Sequence, residues 1–206
     1  MYVPSPNRMD DRAEQVAFMR QYSFATLVTA DSGAAPRATH LPFVVVEEGA
    51  GLRLVAHLAR ANPQWREFGG PAEALVIFQG PHAYISPTLY ERQPSVPTWN
   101  YAAVHVYGKL RLLEGREDKL SALRQLVTAN DAPWLAEMER LPADFLELKL
   151  RGIVAFDIAV ARLEARWKLS QDRMPQERRN IVDALNGSED SAARTLAAMT
   201  PLEPGA

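Results

Sequence analysis

The order of apolar and polar positions predicts short strands in the first part of the chain. Apolar runs of strand length occupy Phe24–Ala30, Pro36–Val46 and Leu52–His57, and the turn signal Asp31-Ser32-Gly33 separates the first two. Three strands joined by short turns favour an antiparallel meander over a βαβ unit.

More strands are expected after a helix that begins at Asn62-Pro63, where Asn suits the cap and Pro suits the first helical position. The pattern predicts strands at Ala74–Gln79, Ala83–Ser86 and Ala102–Leu113, and from Ile153 to about Leu169. Because closure removes the exposed edges of a sheet, this set of strands favours a closed barrel.

Helical periodicity marks the segments around and after these strands. Asp11 and Glu14 form a capping pattern that opens a helix to about Gln21. Apolar spacing predicts further helices over Asp118–Asn130, Asp144–Leu150, Pro175–Leu185 and Ser188–Met199. We therefore expect a mainly β, α+β fold, with a main domain of residues 1–174 and a C-terminal helical appendage of residues 175–206.

Composition narrows the compartment and the chemistry. The 206 residues include no cysteine, which excludes disulfides and thiolate metal or redox sites. The longest apolar run, Leu41–Val46, is far shorter than the roughly 18 residues that a membrane helix needs. Met1-Tyr2-Val3-Pro4 lacks the basic and apolar regions of a signal peptide. We expect a cytoplasmic protein without a membrane segment.

The charge balance bears on nucleic-acid binding. The chain carries 23 Lys and Arg residues against 25 Asp and Glu residues, for a net charge of −2. DNA-binding domains usually carry a basic excess, because neutralised phosphates supply most of their affinity. One basic stretch lies at 162–179. It is typical of a solvated helix face, and a surface that faces phosphate is the alternative.

Four histidines raise the question of a metal site, namely His40, His57, His82 and His105. They are widely separated, without the short spacing of a zinc site, and carboxylates do not cluster beside them. We expect no metal, and interpret the histidines as hydrogen-bonded at strand ends. His40 and His57 lie on consecutive predicted strands, so they are also candidates to face one pocket.

A strand that leads into a helix start suits a phosphate group. In the segment from His57 to Trp65, the helix that begins at Asn62 offers free amides and the positive end of its dipole. Arg60 precedes it and can add a bidentate contact. The alternative is an ordinary capped helix with a surface arginine.

Aromatic and polar residues are mixed in Trp99-Asn100-Tyr101 and around Trp167. The aromatic residues suit a core, but amides and ammonium groups such as Lys168 and Gln171 need partners when they are buried. A planar heteroaromatic ligand satisfies the same mixture. The chain has no nucleophile elbow, Walker loop or Rossmann glycine fingerprint.

Together these segments resemble the PaiB family of FMN-binding negative transcriptional regulators. The resemblance runs in order through Met1–Pro4, Thr39–Pro42, Ala59–Trp65, Gln79–Pro87, Val96–Gly108 and Trp167–Gln171. It implies a split β-barrel related in fold to pyridoxamine phosphate oxidases. It also implies an FMN cofactor at a homodimer interface and a role in negative regulation of transcription.

The resemblance also implies a set of cofactor contacts. Thr39, His40 and Leu41 follow one strand, and His57 belongs to the next; Arg60 and Asn62, with the helix amides, take the phosphate. The remaining contacts come from the partner subunit: Asn100, Lys168, Gln171 and Arg173. Asn7 stands where the family often has an aromatic residue, and Asp172 where it often has Asn.

Two classes of function remain open, and with them the question of whether the protein is an enzyme. One is a flavin-dependent regulator that acts on DNA directly or through a regulatory protein partner. The other is a flavin oxidoreductase, for which few protein groups are needed because the cofactor carries the reaction. A fold that has lost its cofactor and serves as a binding module is a third alternative.

Overall fold

The computed structural model describes residues 1–30, 35–49, 51–70 and 72–202. Its strands are β1 (Phe24–Thr29), β2 (Arg37–Pro42), β3 (Val44–Glu48), β4 (Gly51–Ala59), β5 (Ala74–Ile85), β6 (Thr98–Leu113) and β7 (Ile153–Lys168). Its α-helices are α1 (Arg12–Gln21), α2 (Arg116–Asp131), α3 (Leu135–Glu139), α4 (Ala143–Arg151), α5 (Pro175–Asn186) and α6 (Ser191–Met199). The predicted turn Asp31-Ser32-Gly33 lies outside the described residues.

Within the described ranges the strands form one seven-stranded sheet in the order β2-β1-β5-β6-β7-β4-β3. The pairs β1–β2, β1–β5, β3–β4 and β4–β7 are antiparallel. The predicted class, mainly β with peripheral helices and a C-terminal helical tail, is confirmed. The sheet ends at β2 and β3 instead of pairing these strands, so the expectation of a closed barrel is wrong.

The predicted strand Pro36–Val46 is two strands, broken at Phe43. The side chain of Phe43 is buried, and its N–H donates to the carbonyl of Ser23 at 2.9 Å. Beside it, Pro42 has no N–H for a ladder. The partner strand changes after Phe43: β2 pairs with β1, while β3 pairs with β4 at the other end of the sheet. The predicted three-stranded meander is wrong for this reason.

The predicted strands Ala74–Gln79 and Ala83–Ser86 are one continuous strand, β5. Gly80-Pro81, which lies between the two predicted strands and has the composition of a turn, is inside this strand. A Cβ atom at Gly80 would lie 2.5 Å from the ring of Phe18. The glycine is therefore explained by the close approach of an aromatic ring rather than by a turn.

The chain divides into two compact units, which are described separately. The first consists of 1–18, 79–104 and 164–206, and the second of 19–78 and 105–163. Buried apolar side chains fill each unit, including Ile85 and Ile181 in the first and Leu54 and Phe156 in the second. An independent appendage at residues 175–206 stays a prediction.

In the first unit, α5 is joined to the chain that follows β5 through a buried carboxylate. Glu177 is 1% exposed, and its Oε1 accepts the N–H groups of Glu91 and Arg92 at 2.9 and 3.2 Å. The next helix begins later than predicted. The N-cap of α6 is Asp190, whose Oδ1 accepts the N–H of Ala192. Ser188, where the helix was predicted to begin, lies before the helix and accepts the N–H of Asp190.

Candidate functional site

A hydrogen-bond network in the second unit ties β2 to the 3₁₀ helix Pro63–Glu67 that follows β4. Thr39 Oγ1 donates to Gln64 Oε1 at 2.5 Å and accepts from Asn62 Nδ2 at 2.9 Å. Asn62 Oδ1 in turn accepts the N–H of Gln64 at 3.0 Å, as the helix cap. Thr39 and Asn62, two of the predicted cofactor residues, are therefore in direct contact.

Gln64 is the centre of this network, and sequence reasoning missed it. Its side chain is 1% exposed, and its Nε2 donates to Thr29 Oγ1 at 3.0 Å and to the carbonyl of Arg37 at 3.3 Å. Glu67 accepts from Thr29 and pairs with Arg37 at 2.8 Å. A buried amide needs such partners, so Gln64 fixes β2 against the helix. The only sequence signal was its place after Asn62-Pro63.

The helix itself offers less to an anion than the sequence predicts. It is a 3₁₀ helix of five residues, Pro63 has no N–H, and the N–H of Gln64 is bound by Asn62. A short helix also has a small dipole. A phosphate contact by the helix amides therefore stays a prediction. Most of the electrostatic attraction for a phosphate at this position has to come from a cationic side chain.

Arg60 supplies that cation, and the structure fixes its position. Its Nε donates to the carbonyl of Arg151 at 3.1 Å, and its Nη2 donates to the carbonyl of Ile153 at 3.3 Å. The guanidinium lies 5.4 Å from the ring centroid of Trp65, whose Nε1 donates to the carbonyl of Arg60. Among the described residues no carboxylate forms an ion pair with Arg60, so its charge is available to a ligand.

A cleft of about 260 Å³ opens beside Arg60. Its lining includes Trp65, the cation Lys119 and the carboxylate of Glu114. Two cations and an aromatic wall fit a phosphate group and the chain next to it. Pockets that enclose a whole small ligand run from about 300 to 1,000 Å³, so the isoalloxazine ring of a flavin nucleotide has to lie outside this cleft.

The three predicted contacts on β2 point in two directions. Side chains alternate along a strand, so Thr39 and Leu41 share one face and His40 lies on the other. Leu41 is buried in the core. The side chain of His40 is exposed, and its Nδ1 lies 3.0 Å from Thr26 Oγ1. Its ring stacks on the ring of Phe24, with 6.3 Å between the two centroids. A ligand on one face of β2 can therefore contact the side chain of His40 or that of Thr39, but not both.

His57 lies on β4 on the face that it shares with Val55, which packs against Ala122 of α2. Burial lowers the pKa of the His57 imidazole below its ordinary value near 6.5. Among the described contacts none joins His57 to His40, so the structure does not bring the two rings together. In the same described ranges, no group of three or more His, Cys, Asp or Glu side chains is placed to hold a metal ion.

The lowered pKa of His57 predicts a pH effect on stability. Below about pH 6.5 the unfolded chain takes up the proton of His57 more readily than the folded protein does. The free energy of unfolding therefore falls as the pH drops, by at most about 1.4 kcal/mol per pH unit from this group. Urea titrations at pH 7.5 and 5.5 are expected to show a smaller fall in His57→Gln than in the wild type. Equal falls would contradict the assignment.

In the first unit, the predicted residue Asn100 is fully buried. Its Nδ2 donates to Ser170 Oγ at 2.9 Å, and its Oδ1 lies 3.2 Å from the same hydroxyl. Ser170 has a φ of 59°, in the left-handed region. The amide therefore holds a strained turn after β7, and a contact of Asn100 with a ligand stays a prediction.

The other three predicted residues of this unit also have partners there. Lys168 Nζ donates to Thr98 Oγ1 and, at 2.7 Å, to the carbonyl of Trp99; burial, with a smaller effect of a neighbouring arginine, lowers the pKa of Lys168. Gln171 accepts from Asn7 at 3.1 Å. Arg173 lies 3.9 Å from the ring centroid of Tyr90. Their contact with a cofactor stays a prediction.

No helix in the described part of the chain is both long and apolar enough to cross a membrane.

The sequence matches a family model described as "Putative FMN-binding domain" over residues 1–162. It is 39% identical over 200 residues to the "Protease synthase and sporulation protein PAI 2" of Bacillus subtilis, with 96% of this chain and 95% of that protein covered. It is 28% identical to the uncharacterized protein AN0679 of Emericella nidulans, with 78% and 79% covered.

Solved structures with a similar fold include two cofactor-binding proteins. The FAD and heme binding protein from Mycobacterium smegmatis has a TM-score of 0.63 and 16% identity, with 79% of this chain and 73% of that chain covered. The flavocytochrome Anf3 from Azotobacter vinelandii has a TM-score of 0.59 and 17% identity, with 77% and 68% covered. The predicted fold, a split β-barrel of the FMN-binding type, is confirmed.

Proposed function

The chain belongs to the family of FMN-binding domains, and we propose that it holds the phosphate of FMN in the cleft beside Arg60. Its cofactor is a flavin, which supplies electron and hydride transfer when it is bound. The observation that carries the proposal is the position of Arg60. Its guanidinium is anchored by two main-chain carbonyls and has no carboxylate partner among the described residues.

Preorganisation makes this cation effective. A guanidinium that is already held in place loses little conformational entropy when it binds a phosphate. Lys119 lines the same cleft and adds a second positive charge, against the single negative charge of Glu114. The network of Thr39, Asn62 and Gln64 keeps β2 close to the chain that carries Arg60.

The outer edge of β2 supports a place for the flavin ring. The bond from Phe43 N–H to the Ser23 carbonyl, with the register of β1 and β2, directs the main-chain groups of Thr39 towards β1. By alternation the main-chain groups of His40 point away from β1, and β2 is the end strand of the described sheet. They suit the donor and acceptor edge of an isoalloxazine ring.

The proposal extends to a cytoplasmic homodimer with flavin at the interface. Phe24 is 69% exposed on the sheet face that it shares with His40, an apolar surface that a second copy would cover. Four residues are proposed to reach the cofactor of the other copy, namely Asn100, Lys168, Gln171 and Arg173. The absence of cysteine is in keeping with a reducing compartment.

For the biological role we propose negative regulation of transcription. The support is the resemblance to the PaiB family and the similarity to a Bacillus subtilis protein named for protease synthesis and sporulation. The net charge of −2 favours action through a regulatory protein partner over strong direct contact with DNA. The second candidate is a flavin-dependent oxidoreductase, which needs few protein groups.

One set of experiments separates these roles. The protein, reconstituted with FMN, is passed through gel filtration, and its flavin absorbance and mass are recorded. We expect flavin to elute with a dimer. Retention of promoter DNA is measured at two salt concentrations, beside the oxidation of reduced nicotinamide. Salt-sensitive retention supports direct regulation. Flavin turnover without DNA retention and without a protein partner would replace the regulator by the oxidoreductase.

A further inference from the structure

A second cleft lies in the first unit, lined by β5, β6, α5 and the start of α6. Its volume is about 460 Å³, within the range of small-molecule sites. The aromatic rings of Tyr84 and Trp99 form one wall. Apolar side chains from the helices also line the cleft, namely Leu185 on α5 and Ala193 on α6. None of the predicted cofactor residues lines this cleft.

The aromatic wall exposes two large rings to solvent. Tyr84 and Trp99 are each 54% exposed, although both rings belong to strands whose other faces are buried. Their centroids are 6.2 Å apart and their planes differ by 75°, and His82 lies 5.6 Å from Trp99. Such a corner presents the face of one ring beside the edge of another, which is the arrangement that a further aromatic ring prefers.

The main chain at Trp99 is held in place by hydrogen bonds. Its carbonyl accepts a hydrogen bond from Lys168 Nζ at 2.7 Å, and the adjacent Asn100 is fully buried and bonded to Ser170. The indole is therefore exposed on a rigid strand, not on a loop that can fold over it. A preordered aromatic surface costs a ligand little in ordering entropy.

Charge selects among aromatic ligands. Among the residues that line the cleft, Asp190 is the only carboxylate. Asp190 Oδ1 caps α6 through the N–H of Ala192 at 2.8 Å. Since neither lysine nor arginine lines the cleft, phosphates and carboxylates are disfavoured. A cation gains both from the carboxylate and from the face of the indole.

We propose that this cleft binds a planar aromatic cation of the N-alkylpyridinium class, with its ring against Trp99 and its charge towards Asp190. The proposal is independent of the flavin site, because none of its lining residues belongs to the Arg60 cleft. An oxidised nicotinamide ring belongs to this chemical class, and 1-methylnicotinamide is its smallest stable probe.

The test compares three probes of nearly one shape by calorimetric or NMR titration at pH 8. We expect 1-methylnicotinamide, a cation, to bind about threefold to tenfold more tightly than neutral nicotinamide, and the anion nicotinate to bind least. Equal affinity for the three probes overturns the proposal, as does the absence of binding at millimolar concentration.

Two variants and one control locate the site. Trp99→Leu is expected to weaken 1-methylnicotinamide at least about fivefold. Trp134→Leu, in the second unit and 42% exposed, is expected to leave the affinity unchanged. Asp190→Asn keeps the oxygen that caps α6 and is expected to abolish the preference for the cation over nicotinamide. An unchanged affinity in Trp99→Leu overturns the proposal, and unchanged FMN binding in the same variant keeps the two sites distinct.

Discussion

Gly108→Ala is expected to destabilise the protein by at least about 3 kcal/mol, at the upper end of overpacking effects. Gly108 lies in β6 within the second unit. A Cβ atom there would lie 2.2 Å from the carbonyl oxygen of Ala159 and 2.7 Å from Cγ2 of Ile158. The carbonyl belongs to the main chain of β7, and Ile158 is fully buried, so neither atom can move aside.

Urea unfolding of the wild type and Gly108→Ala measures this loss. The matched control is Gly187→Ala at the end of α5, where φ is −76° and the nearest atom would lie 3.6 Å from the new Cβ. This ordinary contact predicts a change within about 0.5 kcal/mol. If Gly108→Ala were as stable as the control, the close approach of β6 and β7 at this position would be wrong.

Arg60→Ala is expected to weaken FMN binding by about 1 to 3 kcal/mol, the usual cost of removing one charged hydrogen-bonding partner. The guanidinium is held by the carbonyls of Arg151 and Ile153, so its loss removes a preordered cation from the cleft. Because Arg60 is exposed, the fold is expected to remain. Fluorescence titration of FMN gives the affinity, and urea unfolding checks stability.

Arg66→Ala is the matched control. Its guanidinium lies 5.9 Å from the ring centroid of Trp65, close to the 5.4 Å of Arg60, but Arg66 does not line the cleft. The two variants therefore remove the same charge from the same aromatic ring. A phosphate site beside Arg60 requires that only Arg60→Ala weakens FMN. Equal losses in both would indicate a general effect of net charge.

Periodicity predicted most strands and helices of this fold, and it failed where a long-range contact decides the structure. The apolar run Pro36–Val46 continues through Phe43, but the strand breaks there because β2 pairs with β1 and β3 pairs with β4 at the other end of the sheet. Gly80-Pro81 has the composition of a turn, yet the glycine accommodates the ring of Phe18 inside a strand. Residue composition cannot reveal a partner that lies distant in the chain.

The candidate site was predicted in part for the same reason. The segment from His57 to Trp65 suited either a phosphate site or an ordinary capped helix. Among the described residues the structure places there a cation without an ion-pair partner, beside a cleft, and its contact with a phosphate stays a prediction. The adjacent positions Thr39 and His40 were predicted together, but strand alternation turns them to opposite faces. Gln64 was missed, because its importance comes from burial and from its bonds to Thr29 and Arg37. Lys119 was missed because it reaches the cleft from α2.

The most direct measurement is a calorimetric titration of the wild-type protein with FMN and, separately, with riboflavin, which has the same ring and no phosphate. If a fixed guanidinium beside Trp65 holds the phosphate, FMN binds at least about tenfold more tightly than riboflavin, and Arg60→Ala removes most of this difference. Equal affinities for the two flavins in the wild type would contradict a phosphate site in this cleft.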